Sequence, residues 1–314
     1  MVLAGSAVAL GGCAALVDAR ASGRERAAED RYPPVGRLLE VDGRQVHAHV
    51  EGSGPDLVLI HGASGNLRDF TFALAGRLAG DYRVIAFDRP GLGWSDPLPE
   101  DGVSPIAQAD VLRAAAAQLG VERPIVLGHS YGGAVALAWG LRAPEETAAL
   151  VILAGASHPW EGPLSFTQTL PATAVGRAMV VPLVTAFAGQ DAVQRSLSNV
   201  FRPQPVPEGY AAHIGAGLTL RRDSLVHNAE QISALKPHLA VMAQRYPDLP
   251  MPIEILHGTE DRTVGLAIHG ERLAGDAPHA ALTRLEGVGH MPQHAAPEAV
   301  IEAIDRAAAR AGLR

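Results

Sequence analysis

From residue 37 onward, short apolar runs alternate with longer stretches whose apolar residues recur every three or four positions. Residues 56–60, 83–87, 124–127, 149–153 and 253–256 are almost wholly apolar, the pattern of strands buried on both faces of a parallel sheet. Two shorter runs, 37–41 and 45–50, flank Asp42-Gly43, a dipeptide that signals a tight hairpin. A last run, 281–285, precedes the C-terminal segment. Helical spacing occupies the gaps at 67–78, at 106–119 before Gly120, at 132–141 and at 297–309, where Pro297 and Glu298 suit a first turn. Strands alternating with helices predict an α/β protein, its mostly parallel sheet covered on both faces and edged by the initial hairpin.

One region breaks the rhythm. Between Ala156 and Met251 no buried strand is evident, and Pro159, Pro163, Pro171, Pro182, Pro203, Pro205 and Pro207 interrupt short helical patterns. A structureless loop of that length is foreign to a compact domain. Residues 157–250 therefore read as a helical cap inserted into a core formed by 37–156 and 251–314.

Composition narrows the function. Of 314 residues, 47% are hydrophobic and 19% charged, as in ordinary globular proteins, and the chain is long enough to fold without a disulfide or metal. The net charge of −7, with both signs spread along the chain, argues against a nucleic-acid groove. Residues 1–17 are small and apolar and carry no charge. That length suits a signal-peptide core better than a spanning helix. The single cysteine lies there, in Leu10-Gly11-Gly12-Cys13, which resembles a bacterial lipoprotein processing box, although no Lys or Arg precedes the apolar run. The expectation is an exported or membrane-anchored protein, with a cytoplasmic enzyme bearing an Ala/Gly-rich leader as the alternative. Residues 18–36, charged and then proline-containing, read as a linker.

Chemistry concentrates at Gly128-His129-Ser130-Tyr131-Gly132, a G-x-S-x-G pattern between an apolar strand and a small-residue helix. A sharp strand-to-helix turn needs small residues around the serine and holds its hydroxyl exposed at the strand's carboxyl end. A serine hydroxyl needs a base. Among 13 histidines, His290 lies just past the last strand in a glycine-rich loop, with His294 its neighbour and competitor. The two share i, i+4 spacing, but without the Glu of H-E-x-x-H and with Pro292 between them they do not suggest zinc. The base needs an acid to orient it. Asp261 follows the 253–256 strand, Glu260 is adjacent, and the loop after the preceding strand offers no Asp. Backbone N–H groups of Tyr131 and of Ala63, in His61-Gly62-Ala63-Ser64-Gly65, are the candidate oxyanion donors. No metal or organic cofactor is implied.

With these residues in the order Ser130, Asp261, His290, and with Asp88-Arg89-Pro90-Gly91-Leu92-Gly93-Trp94-Ser95 after the fourth strand, the chain resembles the α/β-hydrolase superfamily over residues 37–314, in its lid-bearing branch. That branch includes esterases, C–C bond hydrolases, proline iminopeptidases and cofactor-free haloperoxidases. The resemblance implies an eight-stranded sheet and a serine hydrolase cleaving an ester or similar acyl bond of a small molecule. Ser130 rather than Asp at the elbow argues against dehalogenases and epoxide hydrolases. Two alternatives stay open: peroxide-dependent perhydrolase chemistry with the same three residues, and a binding module on the same fold. The cap matches no subfamily motif, and Trp160 and Phe166 are its aromatic candidates for the pocket or for packing.

Overall fold

The computed structural model describes residues 2–99 and 103–314, with side chains from residue 12 onward; Met1, the first residue of the apolar leader, lies outside the described residues. Eight strands form one sheet: β1 (Arg37–Val41), β2 (Arg44–Glu51), β3 (Asp56–Ile60), β4 (Arg83–Phe87), β5 (Ile125–His129), β6 (Ala149–Leu153), β7 (Ile253–Gly258) and β8 (Ala280–Leu285). Their spatial order is β1-β2-β4-β3-β5-β6-β7-β8. The β1–β2 and β2–β4 pairs are antiparallel and the other five are parallel. The turn at Asp42-Gly43 has φ of 50° and 74°, the paired positive values that match a hairpin's twist. Strand order reverses where β3 meets β5, the place at which an open α/β sheet leaves a crevice beyond its carboxyl ends.

The two-residue period of the strands divides the core. Val58, Ile60, Ile85, Phe87, Val126, Leu150, Ile152, Ile253 and Ile255 face one layer, with helices α2 (Pro105–Gln118) and α3 (Tyr131–Arg142). Leu57, Leu59, Val84, Ala86, Ile125, Leu127, Val151 and Leu153 face the other, packed on Phe70, Leu74 and Leu78 and on the C-terminal helix Pro297–Arg310 through Val300, Ala303, Ile304 and Ala307. Ser104 caps α2 by accepting from the Ala107 N–H, and Pro105 occupies its first turn. The helix expected over 67–78 is two pieces, Arg68–Thr71 and Leu74–Leu78; the first buries Phe70 and the second Leu74 and Leu78.

From β6 to β7 the chain forms helices and turns. Helix α4 (Val181–Phe187) and the long helix α5 (Arg222–Ala243) are its main supports, and Leu235, Leu239 and Met242 of α5 join the sheet's core.

The linker read into residues 18–36 is corrected. One helix, α1 (Val2–Arg31), runs through the apolar leader and most of that charged segment. Its second half docks on the cap, burying Ala21 and Ala28. Arg222, at the start of α5, supplies the ordering force. Its guanidinium donates to Glu25 through Nε (3.0 Å) and Nη2 (2.7 Å), to Ser22 Oγ (2.9 Å) and to Asp18 (2.5 Å). Arg20 and Arg24 donate to the carbonyls of Ala186 and Ala188, groups that the C-terminus of α4 leaves unpaired. Charges that suggested solvation are spent on tertiary pairing.

Candidate active site

β5 ends at His129, and Ser130 turns the chain into α3 with φ 54° and ψ −118°. A non-glycine residue in that region costs about 1–3 kcal/mol and persists only where its surroundings hold it. Here they do. The Ser130 N–H donates to Leu153 O (3.0 Å), and its carbonyl accepts from Gly133 and Ala156 N–H (3.0 Å each). The flanking glycines are sterically required. A Cβ on Gly128 would lie 2.1 Å from Gly132 O, and one on Gly132 would lie 2.1 Å from Ile60 O. These contacts seat the first turn of α3 directly against the end of β3.

The structure brings the three predicted side chains together. His290 Nε2 lies 2.9 Å from Ser130 Oγ, and His290 Nδ1 lies 2.7 Å from Asp261 Oδ2. With Nδ1–H donated to the carboxylate, Nε2 is the acceptor for the serine hydroxyl. All three residues are buried. Asp261 sits past the end of β7, where Oδ1 accepts from the N–H groups of Thr263 (2.8 Å) and Val264 (2.9 Å). Burial opposes its ionisation, but hydrogen bonding from His257 and His290, the charge on His290 and the Val264 N–H outweigh burial and hold the carboxyl well below its usual range. Glu260, the neighbouring alternative, is half-exposed and faces Arg262. His294, the competing histidine, is engaged elsewhere, 2.7 Å from Asp69.

The loop after β3 lies beside the serine, since a Cβ on Gly62 would stand 3.0 Å from Ser130 Cβ. The Gly62 carbonyl accepts from His61 Nδ1 (2.8 Å) and Arg89 Nη2 (3.1 Å). A trans peptide directs its N–H opposite to its carbonyl. Holding Gly62 O therefore aims the Ala63 N–H away from Arg89. Among the described residues, neither the Ala63 nor the Tyr131 N–H has an acceptor.

Several supporting residues lie in the quoted motifs without a role that the sequence shows, and others carry no signal there at all. Arg89 is fully buried and also donates to His61 O (2.9 Å), Gln108 Oε1 (2.9 Å) and Gln231 Oε1 (2.7 Å), with its guanidinium 4.2 Å from the Tyr131 ring centroid. Burial without a carboxylate partner lowers it to about 10, so it stays charged at neutral pH. Burial and the Arg89 charge, against the weaker pull of Asp88 and Asp69, lower His61 to about 4, which leaves it neutral. Burial and the His290 charge likewise lower His129 to about 4; its Nε2 pairs with His290 O (2.8 Å), linking the residue before the serine to the backbone of the base. From the cap, Asn228 accepts the Ser64 N–H (2.7 Å) and donates to Ser64 Oγ (3.0 Å), next to Ala63. Gln204 accepts the Gly289 N–H (3.0 Å) and donates to Gly287 O (2.8 Å), bracketing the His290 loop. Asp69, beside the site, accepts from Tyr210 of the cap (2.8 Å) and from Gln293 (2.9 Å) as well as pairing with His294.

Trp160 is half-buried against the core, with Lys236 Nζ 5.8 Å from its ring, whereas Phe166 is exposed. A cavity of about 640 Å³ lies between α1 and the cap, lined by Arg24, Tyr32, Gln190 and Leu220, away from Ser130. Among the described residues, no group of three or more His, Cys, Asp or Glu side chains could hold a metal ion.

The sequence profile of the Alpha/beta hydrolase family matches residues 57–303. A 2-hydroxy-6-oxononadienedioate/2-hydroxy-6-oxononatrienedioate hydrolase of Paraburkholderia phymatum is 29% identical over 254 residues, covering 79% of this chain and 85% of that protein. The esterase RhEst1 of Rhodococcus sp. ECU1013 superposes with a TM-score of 0.68 at 23% identity, over 88% of this chain and 99% of its own. A bacterial membrane phospholipase A superposes with a TM-score of 0.68 at 22% identity, over 98% of this chain and 97% of its own.

Proposed function

Given that this chain belongs to the alpha/beta hydrolase family and is a hydrolase, we propose that it is a serine hydrolase cleaving an ester or similar acyl bond of a small molecule through an acyl-enzyme. The observation that carries this reading is the buried chain Ser130–His290–Asp261, with links of 2.9 and 2.7 Å, on a strained turn at the carboxyl edge of the sheet.

In this mechanism Ser130 Oγ bonds to the acyl carbonyl carbon while its proton passes to His290 Nε2. The imidazolium is stabilised by Asp261, and the carbonyl electron pair becomes an oxyanion held by the N–H groups of Ala63 and Tyr131. Collapse of the tetrahedral intermediate breaks the bond to the leaving alcohol, which takes the proton from Nε2. Water then attacks the acyl-serine with His290 again as base and releases the acid. The support for a preset oxyanion site is that both N–H groups lack an internal partner while Gly62 O is gripped on its far side.

The test is a p-nitrophenyl ester series of increasing chain length on wild type and Ser130→Ala, with mass spectrometry of protein treated with an organophosphonate. The expectation is about a 10³-fold or greater loss of kcat in the variant and an adduct on Ser130 alone. Wild-type turnover by Ser130→Ala would end the proposal.

We also propose that the protein is held at the cell envelope through its N-terminal segment. Its support is the uncharged residues 2–17 and the exposed Cys13. The fold match to the membrane phospholipase A includes that segment. Cys13→Ser is expected to release the protein from membranes of the expressing cell if a lipid is attached there; unchanged partitioning removes lipidation.

A further inference from the structure

α1 and the cap helix it docks on expose an apolar surface that does not belong in water. Gly12, Cys13, Ala14, Ala15 and Leu16 are all exposed, and Leu16 is 73% accessible. Successive helical residues are about 100° apart, so five in a row go right round the helix. A helix that pairs with one partner keeps a polar face; one that is apolar all round is surrounded by apolar material. Beside it, Val175, Met179, Leu183 and Phe187 recur every four residues along α4 and the π-helical turn Gly176–Val180 that leads into it, with accessibilities of 64, 65, 48 and 56%. The two surfaces are fixed to one another. Arg20 and Arg24 donate to the end of α4, and the Arg20 guanidinium stands 5.1 Å from the Phe187 ring centroid.

Among the described residues no single helix is long and apolar enough to cross a membrane. We propose that the stripe Val175–Met179–Leu183–Phe187 is a lipid-contacting surface, which seats the cap on a bilayer alongside the apolar half of α1. This rests on the envelope reading and extends it: the cap itself touches lipid, so the protein lies on the membrane at a fixed attitude instead of hanging from a tether. The rigid docking of α1 by Arg222 serves that purpose, since a loose segment would leave the attitude undefined. The occupant is lipid and not a second copy, because a protein partner would cover one side of residues 12–16 and leave the rest in water.

The experiment is flotation of the full chain with phosphatidylcholine–phosphatidylglycerol vesicles, for wild type, for Met179→Ser/Leu183→Ser and for Leu16→Glu, with light scattering of each in solution. Met179→Ser/Leu183→Ser should bind vesicles about 10- to 100-fold more weakly, from the loss of two buried side chains of this size. Its melting temperature and its turnover of a soluble short-chain ester should stay at wild-type values, since neither residue touches the site. Wild-type binding by the double variant, with Leu16→Glu alone impaired, would overturn the cap surface and leave the anchor standing. Absence of vesicle binding by the wild type would overturn both. A wild-type dimer that the double variant dissolves would assign the stripe to a second copy and also overturn the proposal.

Discussion

Replacing Asp261 with Asn tests the relay at its least tolerant point. The carboxylate accepts from His290 Nδ1 through Oδ2, and from the N–H groups of Thr263 and Val264 through Oδ1. An amide of the same shape has one oxygen and one NH2. Turned toward Thr263 and Val264, the NH2 would face two donors and leave both unpaired, at about 1–3 kcal/mol for the buried Val264 N–H. Turned toward His290, it forces Nδ1 to accept and moves the ring proton to Nε2, where it faces Ser130 Oγ. The second arrangement strands fewer groups and wins, and in it the base cannot take the serine proton. The expected loss in kcat is about 10⁴-fold, or about 5 kcal/mol of barrier at 1.36 kcal/mol per decade. Steady-state hydrolysis of a short p-nitrophenyl ester at pH 7–8 measures it, with KM changed little because no substrate contact is lost. A thermal melt should show that the variant folds, since its shape is conserved. Asp261→Asn retaining more than a tenth of wild-type kcat, in a folded protein, would refute this reasoning.

Three further outcomes are expected. Gly132→Ala should cost about 3 kcal/mol or more of stability, or yield insoluble protein on expression, because its Cβ would stand 2.1 Å from Ile60 O and 2.6 Å from His61 O, backbone atoms of β3 and its loop that cannot retreat; a wild-type melting temperature would contradict this. Asn228→Ala should lower kcat about 10- to 100-fold with a smaller effect on KM, since it frees Ser64 beside the Ala63 donor, and an unchanged kcat would show that the loop holds itself. For Asp69, burial opposes ionisation, but the charge and hydrogen bond of His294, the charge of His129 and the Tyr210 hydroxyl hold the folded carboxyl below its ordinary range. A depressed folded pKa stabilises above the unfolded value, about 3.9, and that stability fades as pH falls through the folded one. Urea unfolding should therefore show a constant gap between wild type and Asp69→Asn above about pH 5, narrowing steadily below about pH 4; a gap that widens on acidification would reverse the assignment.

What the sequence made legible follows from what short range can specify. The inner strands β3 to β7 are almost wholly apolar because both faces are covered, and the elbow glycines are local consequences of a sharp turn. Ser130, Asp261 and His290 stood out because each follows a strand, and parallel strands bring their carboxyl ends to one rim. The supports did not stand out, because each joins positions remote in the chain: His129 with His290 across 161 residues, Asn228 with Ser64 across 164, Tyr210 with Asp69 across 141. The same remoteness hid the helix across residues 18–31. Its charges mimic a solvated spacer, and only Arg222, 197 positions from Glu25, turns them into partners. The break near Thr71 was hidden for a different reason, since spacing records which residues are apolar and not how the backbone bends to bury them.

Arg222 and Asn228 sit on the same rod. About 9 Å of helical rise separates the residue that grips the N-terminal helix from the one that grips the turn bearing Ala63. A long helix is stiff over that distance. Any tug that displaces the N-terminal helix thus has a short mechanical linkage to the peptide group that would cradle a forming negative charge. The N-terminal helix and the turn beside Ser130 share one lever arm in this architecture.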